Sequence, residues 1–217
     1  MAYKAVLFDL DGTLLDSLED LADSTNAALA SLGFPGHPVE DYKILVGDGA
    51  EALVRRSLPR GSRDPHTRRR CFEALGREYA CRWRDKTVPY PGIPELLDAL
   101  TERGFLLAIL SNKAEEFTRL AAETLLSKWR FFEVRGARDG FPKKPDPAGA
   151  LEMVRESGLT ASAFLYLGDT GTDMKTASAA GMTAVGALWG FRDAAELLGA
   201  GAESVIGHPR ELLPYLL

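Results

Sequence analysis

The stretch Lys4-Ala5-Val6-Leu7-Phe8-Asp9-Leu10-Asp11-Gly12-Thr13 decides the fold. Residues 4–8 make a short apolar run that Asp9 closes. A run this short, without polar alternation, reads as a strand buried on both faces. Similar runs recur at 105–110, 131–134, 164–167 and 182–188, with a weaker one at 204–206. Helical patterns lie between them at 93–103, 114–127, 147–157 and 173–180. Strand alternating with helix predicts an α/β core: a Rossmann-like parallel sheet with helices on both faces.

Residues 17–85 break this alternation. They carry helical patterns at 17–32, 38–46, 49–58 and 64–85 and no convincing strand. Gly33, Pro35, Gly36, Pro38, Pro59 and Gly61 punctuate them. The expected organisation is therefore a core of residues 1–15 and 88–217, interrupted by an all-helical domain over 16–87. Thr87-Val88-Pro89-Tyr90-Pro91-Gly92 is the expected return linker.

The bulk properties narrow the function. With 217 residues, the chain can bury a sizeable core. A net charge of −5 argues against general nucleic-acid binding. Arg68-Arg69-Arg70 with Arg82 and Arg84 makes a basic helix, which reads as a solvated face in an acidic protein. Cys71 and Cys81 would lie about 15 Å apart along one helix, too far for a disulfide. Two unpaired thiols suit a reducing compartment, and the apolar run after Met1 is too short for a signal peptide or a membrane span. The expectation is a cytoplasmic protein, a monomer or homodimer, with neither a membrane nor a nucleic acid as partner.

Ligands of open α/β sheets bind beyond the carboxyl ends of the strands. Four of the apolar runs lead into polar sets: Asp9-Leu10-Asp11-Gly12-Thr13, Ser111-Asn112, Lys143-Lys144-Pro145-Asp146-Pro147 and Gly168-Asp169-Thr170-Gly171-Thr172-Asp173. Asp9 and Asp11 are two apart and point to one side in extended chain, and Gly12 allows a sharp turn that brings amides close to a ligand. Taken alone, an Asp-X-Asp-Gly can simply close a strand and cap a turn. A calcium loop does not fit, because Gly stands at position 4 and Thr at position 5.

Converging carboxylates repel unless a cation joins them. Mg2+ suits such hard oxygen donors, and Asp9, Asp169 and the main-chain carbonyl of Asp11 could ligate it. Lys144 precedes Pro145 and then Asp146-Pro147, which reads as an N-cap with proline at the first helical position. A lysine beside a helix N-terminus suits an anchor for phosphate, although an exposed loop lysine has the same local sequence. Ser111 could offer its hydroxyl and N–H to a phosphate oxygen, or cap a helix. Of Asp169 and Asp173, one could bind metal while the other orients Lys144 or a metal-bound water. His37, His66 and His208 are scattered, and no pair has metal-ligand spacing.

In this order and spacing, Asp9-Leu10-Asp11-Gly12-Thr13, Ser111, Lys144 and Gly168-Asp169 with Asp173 resemble the four motifs of the haloacid dehalogenase-like hydrolases. The resemblance spans the whole chain, and the helical insert resembles that family's cap domain. Within the family, Val46 to Arg56, Asp16-Ser17 and Tyr90-Pro91-Gly92 resemble the phosphoglycolate phosphatases. The resemblance implies Asp9 as nucleophile, Asp11 as general acid/base, and Ser111 and Lys144 on the phosphoryl group, with Asn112, Gly12 and Thr13 beside them. It implies Asp169 as a magnesium ligand and Asp173 as its support. Dehalogenases of the family lack the need for the second acid and the metal, so Asp11, Asp169 and Asp173 together favour phosphorus chemistry.

The implied reaction is magnesium-dependent hydrolysis of a small phosphorylated metabolite through an aspartyl-phosphate, with phosphoglycolate as the leading substrate. In the cap, the Gly47-Asp48-Gly49 loop and Arg55 or Arg56 are the candidate substrate contacts, an arginine meeting a carboxylate. The same arginines also read as solvated helix residues. A sugar-phosphate phosphatase or a β-phosphoglucomutase-like phosphomutase is the alternative on this scaffold. A non-catalytic magnesium-binding regulatory protein is a more distant one.

Overall fold

The computed structural model describes residues 3–216. The chain forms two compact units, one built from the segment up to Leu15 together with everything from Pro89 onward, the other from Asp16–Val88.

The first unit is a six-stranded sheet: β1 (Ala5–Phe8), β4 (Leu106–Ala114), β5 (Phe131–Ala137), β6 (Phe164–Gly168), β7 (Thr183–Ala187) and β8 (Ser204–Ile206). Its order is β5-β4-β1-β6-β7-β8, and every pairing is parallel. Helices lie on both sides: α5 (Ile93–Glu102), α6 (Glu115–Leu125), α7 (Ala148–Ser157), α8 (Gly171–Ala180) and α9 (Ala194–Gly199). The four residues of β1 are wholly buried, as a central parallel strand covered on both faces requires. One core layer packs Leu7, Ala108, Phe164 and Tyr166 against Ala150, Met153, Met174 and Ala177 of α7 and α8. The chain leaves β1 with β4 on one side and β6 on the other. The crevice beyond the carboxyl end of β1 is therefore the switch point where such sheets bind ligands.

The second unit is helical: α1 (Leu18–Ser31), the single turn α2 (Tyr42–Leu45), α3 (Ala50–Ser57) and α4 (Pro65–Arg82). The short segments β2 (Leu15–Asp16) and β3 (Val88–Pro89), at the two crossings between units, pair with each other. Buried Ala28, Leu29, Tyr42, Leu53, Cys71, Leu75 and Tyr79 form the core of this unit. Asp64 caps α4, accepting from the His66 and Thr67 amides at 3.1 and 3.0 Å, with Pro65 at the first helical position. Asp20 is a buried carboxylate that the amides of Lys86 and Thr87 and the Thr87 hydroxyl satisfy. It ties the last residues of the unit to its first helix. Cys71 is buried and Cys81 exposed, both as free thiols. Among the described residues, no helix is long and apolar enough to cross a membrane.

Two expectations need correction. The second strand continues past Leu110 through Ser111 and Asn112 to Ala114, because its pairing with β5 resumes at Ala137 after an irregularity. Ser111 consequently lies within a strand, and Ala114 stands at the N-cap of α6. Likewise, Pro147 rather than Asp146 occupies the N-cap position of α7. Asp146 instead accepts the Ala148 amide at 2.9 Å, an Asx-type bond from one residue before the N-cap.

Candidate active site

Asp9 leaves β1 at the switch point, with its amide donating to the Leu167 carbonyl at 3.0 Å. Lys144 approaches from the loop before α7, and its Nζ lies 2.8 Å from Asp9 Oδ1. The same Nζ donates to Asp173 Oδ1 at 2.6 Å and to the Leu110 carbonyl at 2.9 Å. An ammonium has three hydrogens, and these three acceptors take them all. The side chain is 3% exposed, so the charge is held away from water by its partners rather than by solvent.

Asp173 is wholly buried. Its Oδ1 also accepts from the Tyr166 hydroxyl at 3.2 Å, and its Oδ2 accepts from the Thr170 amide and hydroxyl at 3.0 and 2.6 Å. The Thr170–Asp173 pair forms a reciprocal capping box at the start of α8. The first-turn acid of that helix is thus also the brace of Lys144.

Asp169, likewise wholly buried, follows β6. The Thr13 hydroxyl donates to its Oδ1 at 3.0 Å and the Phe191 amide to its Oδ2 at 2.8 Å. Gly12 and Gly190 make room for this carboxylate, since a Cβ at either would collide with it. Gly12 adopts φ +89°, and its amide donates to the Leu15 carbonyl at 2.9 Å, closing the turn after β1. The Gly12 amide thus closes a turn, and the Thr13 hydroxyl braces Asp169.

Asn112 meets the backbone of Lys144. Its Nδ2 donates to the Lys144 carbonyl at 3.1 Å, and its Oδ1 accepts the Lys144 amide at 2.9 Å. The side chain holds the lysine's backbone. Ser111, 5% exposed, accepts the Lys113 amide on its hydroxyl at 3.2 Å. Asp11 meets Lys113, whose Nζ lies 2.7 and 2.8 Å from the two carboxylate oxygens.

Charge dominates the electrostatics. Asp9, Asp169 and Asp173 present ligand oxygens within 4.8 Å of one another, all three residues buried. One ammonium among three carboxylates leaves an excess of negative charge. Burial, with the Asp173 charge adding to it, pushes the Asp9 carboxyl up to about 7 even though Lys144 pulls it down. Burial raises Asp169 well above the carboxylate range, and Asp9 and Asp173 add to the rise. Burial disfavours the charge on Lys144, but Asp173 and Asp9 outweigh it and hold the ammonium well above its ordinary value. A buried set of hard oxygen donors with uncompensated charge fits a small divalent cation, which would remove the repulsion that raises Asp9 and Asp169.

The candidates of the helical unit are internally engaged in part. Asp48 pairs with Arg56, which also donates to the Leu45 carbonyl at 3.0 Å. That pairing neutralises Asp48 and fixes Arg56 to the 45–49 loop. Gly47 and Gly49 flank Asp48 with φ of +113° and +86°, and Arg55 on α3 is exposed.

Sequence reading missed Lys113, Tyr166, Gly190 and Phe191. Gly190-Phe191 follows the fifth apolar run, so extending the strand-end rule by one strand would have reached it. Lys113 stands one residue beyond the pair that was read.

A parallel α/β sheet that gathers buried carboxylates and one lysine at its switch point defines an enzyme of the strand-end type. A family model described as "haloacid dehalogenase-like hydrolase" matches residues 6–187. The chain belongs to that family, and to its phosphatases. It is 37% identical over 217 residues to a phosphoglycolate phosphatase of Pseudomonas savastanoi pv. phaseolicola, covering 97% of this chain and 79% of that one. A phosphoglycolate phosphatase of Nitrosospira multiformis is 35% identical over 209 residues, covering 94% and 91%. Among solved structures, a candidate phosphoglycolate phosphatase from Lactobacillus delbrueckii subsp. bulgaricus superposes with a TM-score of 0.93 at 29% identity, over 100% of this chain and 99% of that one.

Proposed function

We propose that this protein is a magnesium-dependent phosphoglycolate phosphatase that works through an aspartyl-phosphate on Asp9. The observation that carries the reading is the placement of Lys144 Nζ between Asp9 and Asp173, with Asp169 alongside. The named relatives support the substrate.

Asp9 and Asp169, with the main-chain carbonyl of Asp11, would hold the magnesium ion. When bound, the ion neutralises and orients the phosphoryl oxygens. An Asp9 carboxylate oxygen attacks phosphorus, and the bond from phosphorus to the glycolate oxygen breaks. Asp11 donates its proton to that leaving oxygen. Asp11, now a carboxylate, then takes a proton from the water that attacks the phosphoenzyme. The bond from Asp9 to phosphorus breaks, inorganic phosphate leaves, and Asp11 ends as it began. Lys144 and Ser111 face the charge of the transferring group, which a loose phosphoryl transition state spreads over its equatorial oxygens. Asp173 and Tyr166 keep Lys144 in place.

The test is phosphate release from a panel of small phosphoesters with magnesium, beside Asp9→Asn. Phosphoglycolate should be the best substrate, and Asp9→Asn should abolish turnover while unfolding at a similar temperature. Comparable rates for variant and parent would refute the nucleophile. Conversion of a hexose phosphate to its isomer without free phosphate would point to a mutase instead.

A further inference from the structure

The Lys113–Asp11 pair joins two adjacent strands of the sheet. Lys113 lies near the end of β4 and Asp11 just past β1, and these strands pair in register from Ala5↔Leu106 to Phe8↔Ile109. Both carboxylate oxygens of Asp11 lie within 2.8 Å of the ammonium, so the contact fixes orientation as well as position. The side chains are 8% and 16% exposed, unlike the open surface pairs of this protein, such as Lys128–Asp98 at 65% and 40%. Lys113 is itself tied down at the backbone, where its amide donates to Ser111 Oγ. The residue therefore connects the candidate phosphoryl-binding serine to the candidate general acid.

We propose that Lys113 is the positioning residue for Asp11, holding its carboxyl group beside the strand-end site where the leaving oxygen must be protonated. The inference rests on Asp11 acting as the proton donor. A proton donor works only within hydrogen-bond reach of the oxygen it serves, and a carboxyl group on a turn has a rotatable side chain. An anchor from the neighbouring strand removes that freedom.

The consequence is specific to the leaving group. An alkoxide such as glycolate needs protonation as it departs, whereas p-nitrophenolate departs without it. The experiment compares kcat/KM for phosphoglycolate and for p-nitrophenyl phosphate in the parent, Lys113→Met, Lys113→Arg and Asp11→Asn, with thermal unfolding of each. General acid catalysis contributes about 10²- to 10⁴-fold. Lys113→Met should lose about 10²-fold on phosphoglycolate and at least ~10-fold less than that on p-nitrophenyl phosphate. Lys113→Arg should recover much of the difference, because it can still meet the carboxylate. If Lys113→Met does not fold, the Lys113→Arg and Lys113→Gln pair carries the comparison.

Equal losses on both esters in the Lys113 variants, with Asp11→Asn still selective for the alkyl ester, would overturn the positioning role and leave Asp11 as the acid. Equal losses in Asp11→Asn as well would overturn the acid assignment, and the role of Lys113 with it.

Discussion

The side-chain amide of Asn112 closes on the backbone of Lys144 from both sides, donating to its carbonyl at 3.1 Å and accepting its amide at 2.9 Å. A residue of β4 thereby sets the height and direction of a lysine in a loop 32 residues further along the chain. The precision of the Lys144 side chain depends on this clamp.

Asn112→Ala should therefore affect both stability and rate. It leaves a buried amide and a buried carbonyl without their partner, at a cost of about 1–3 kcal/mol for each group left unsatisfied. A lysine displaced by about 1 Å should lower kcat/KM by about 10²-fold. Urea denaturation and phosphate release measure the two effects. A variant that is destabilised but retains the parent's kcat/KM would mean that the loop positions Lys144 without the clamp.

Lys144→Met removes the cation that pairs with both Asp9 and Asp173. Breaking a buried pair costs about 3–5 kcal/mol because the partners are left charged and unpaired. The loss should shrink as pH falls, since protonation neutralises the abandoned carboxylates. Unfolding midpoints at about pH 5 and about pH 8 test this. A loss independent of pH would show that packing of the lysine stem, rather than its charge, carries the stability.

The raised carboxyl of Asp9 has its own pH signature. Its value of about 7 in the folded chain stands above the model-peptide value of 3.8. Between those values the native state holds a proton that the unfolded chain releases. The stability from Asp9 is complete below 3.8 and is lost as pH rises through about 7. Asp169 is shifted in the same direction. With a chelator present, the unfolding midpoint should fall across this window, and Asp9→Asn should flatten the fall. Magnesium should flatten it too, because a cation favours the charged forms. An unchanged slope in both cases would contradict the cause assigned here.

Gly190→Ala tests the cradle of Asp169. An added methyl would meet the Asp169 carboxylate and the Gly12 carbonyl, neither of which can swing away. Overpacking of this kind costs about 1–3 kcal/mol. Displacing a ligand's support weakens metal affinity by about 10- to 100-fold. The magnesium concentration for half-maximal activity should rise accordingly, with kcat recovering at saturating metal. An unaltered magnesium requirement would remove Gly190 from the site.

Much of this arrangement was readable along the chain. Short apolar runs alternating with amphipathic segments announced the parallel sheet, because a strand covered on both faces has no polar side to display. The helical interruption after β1 was equally visible, since periodicity changes there from strand to helix. Asp9, Lys144, Asp169 and Asp173 stood out because each follows a run that ends at the same rim.

The division of labour at that rim was not readable. Local sequence assigns Thr13, Gly12 and Asn112 to a ligand with the same ease as to a neighbour, for a hydroxyl or an amide carries no record of its partner. Only the folded chain decided that Thr13 meets Asp169 across 156 residues, that Asn112 grips Lys144, and that Lys113 reaches Asp11 across 102. The amino-acid sequence by itself determined the order of the main strands and helices, since that depends on periodicity over a few residues, although the pairing with β5 set where β4 ends. Tertiary structure alone decided which polar groups meet one another, because those contacts depend on strand order and register.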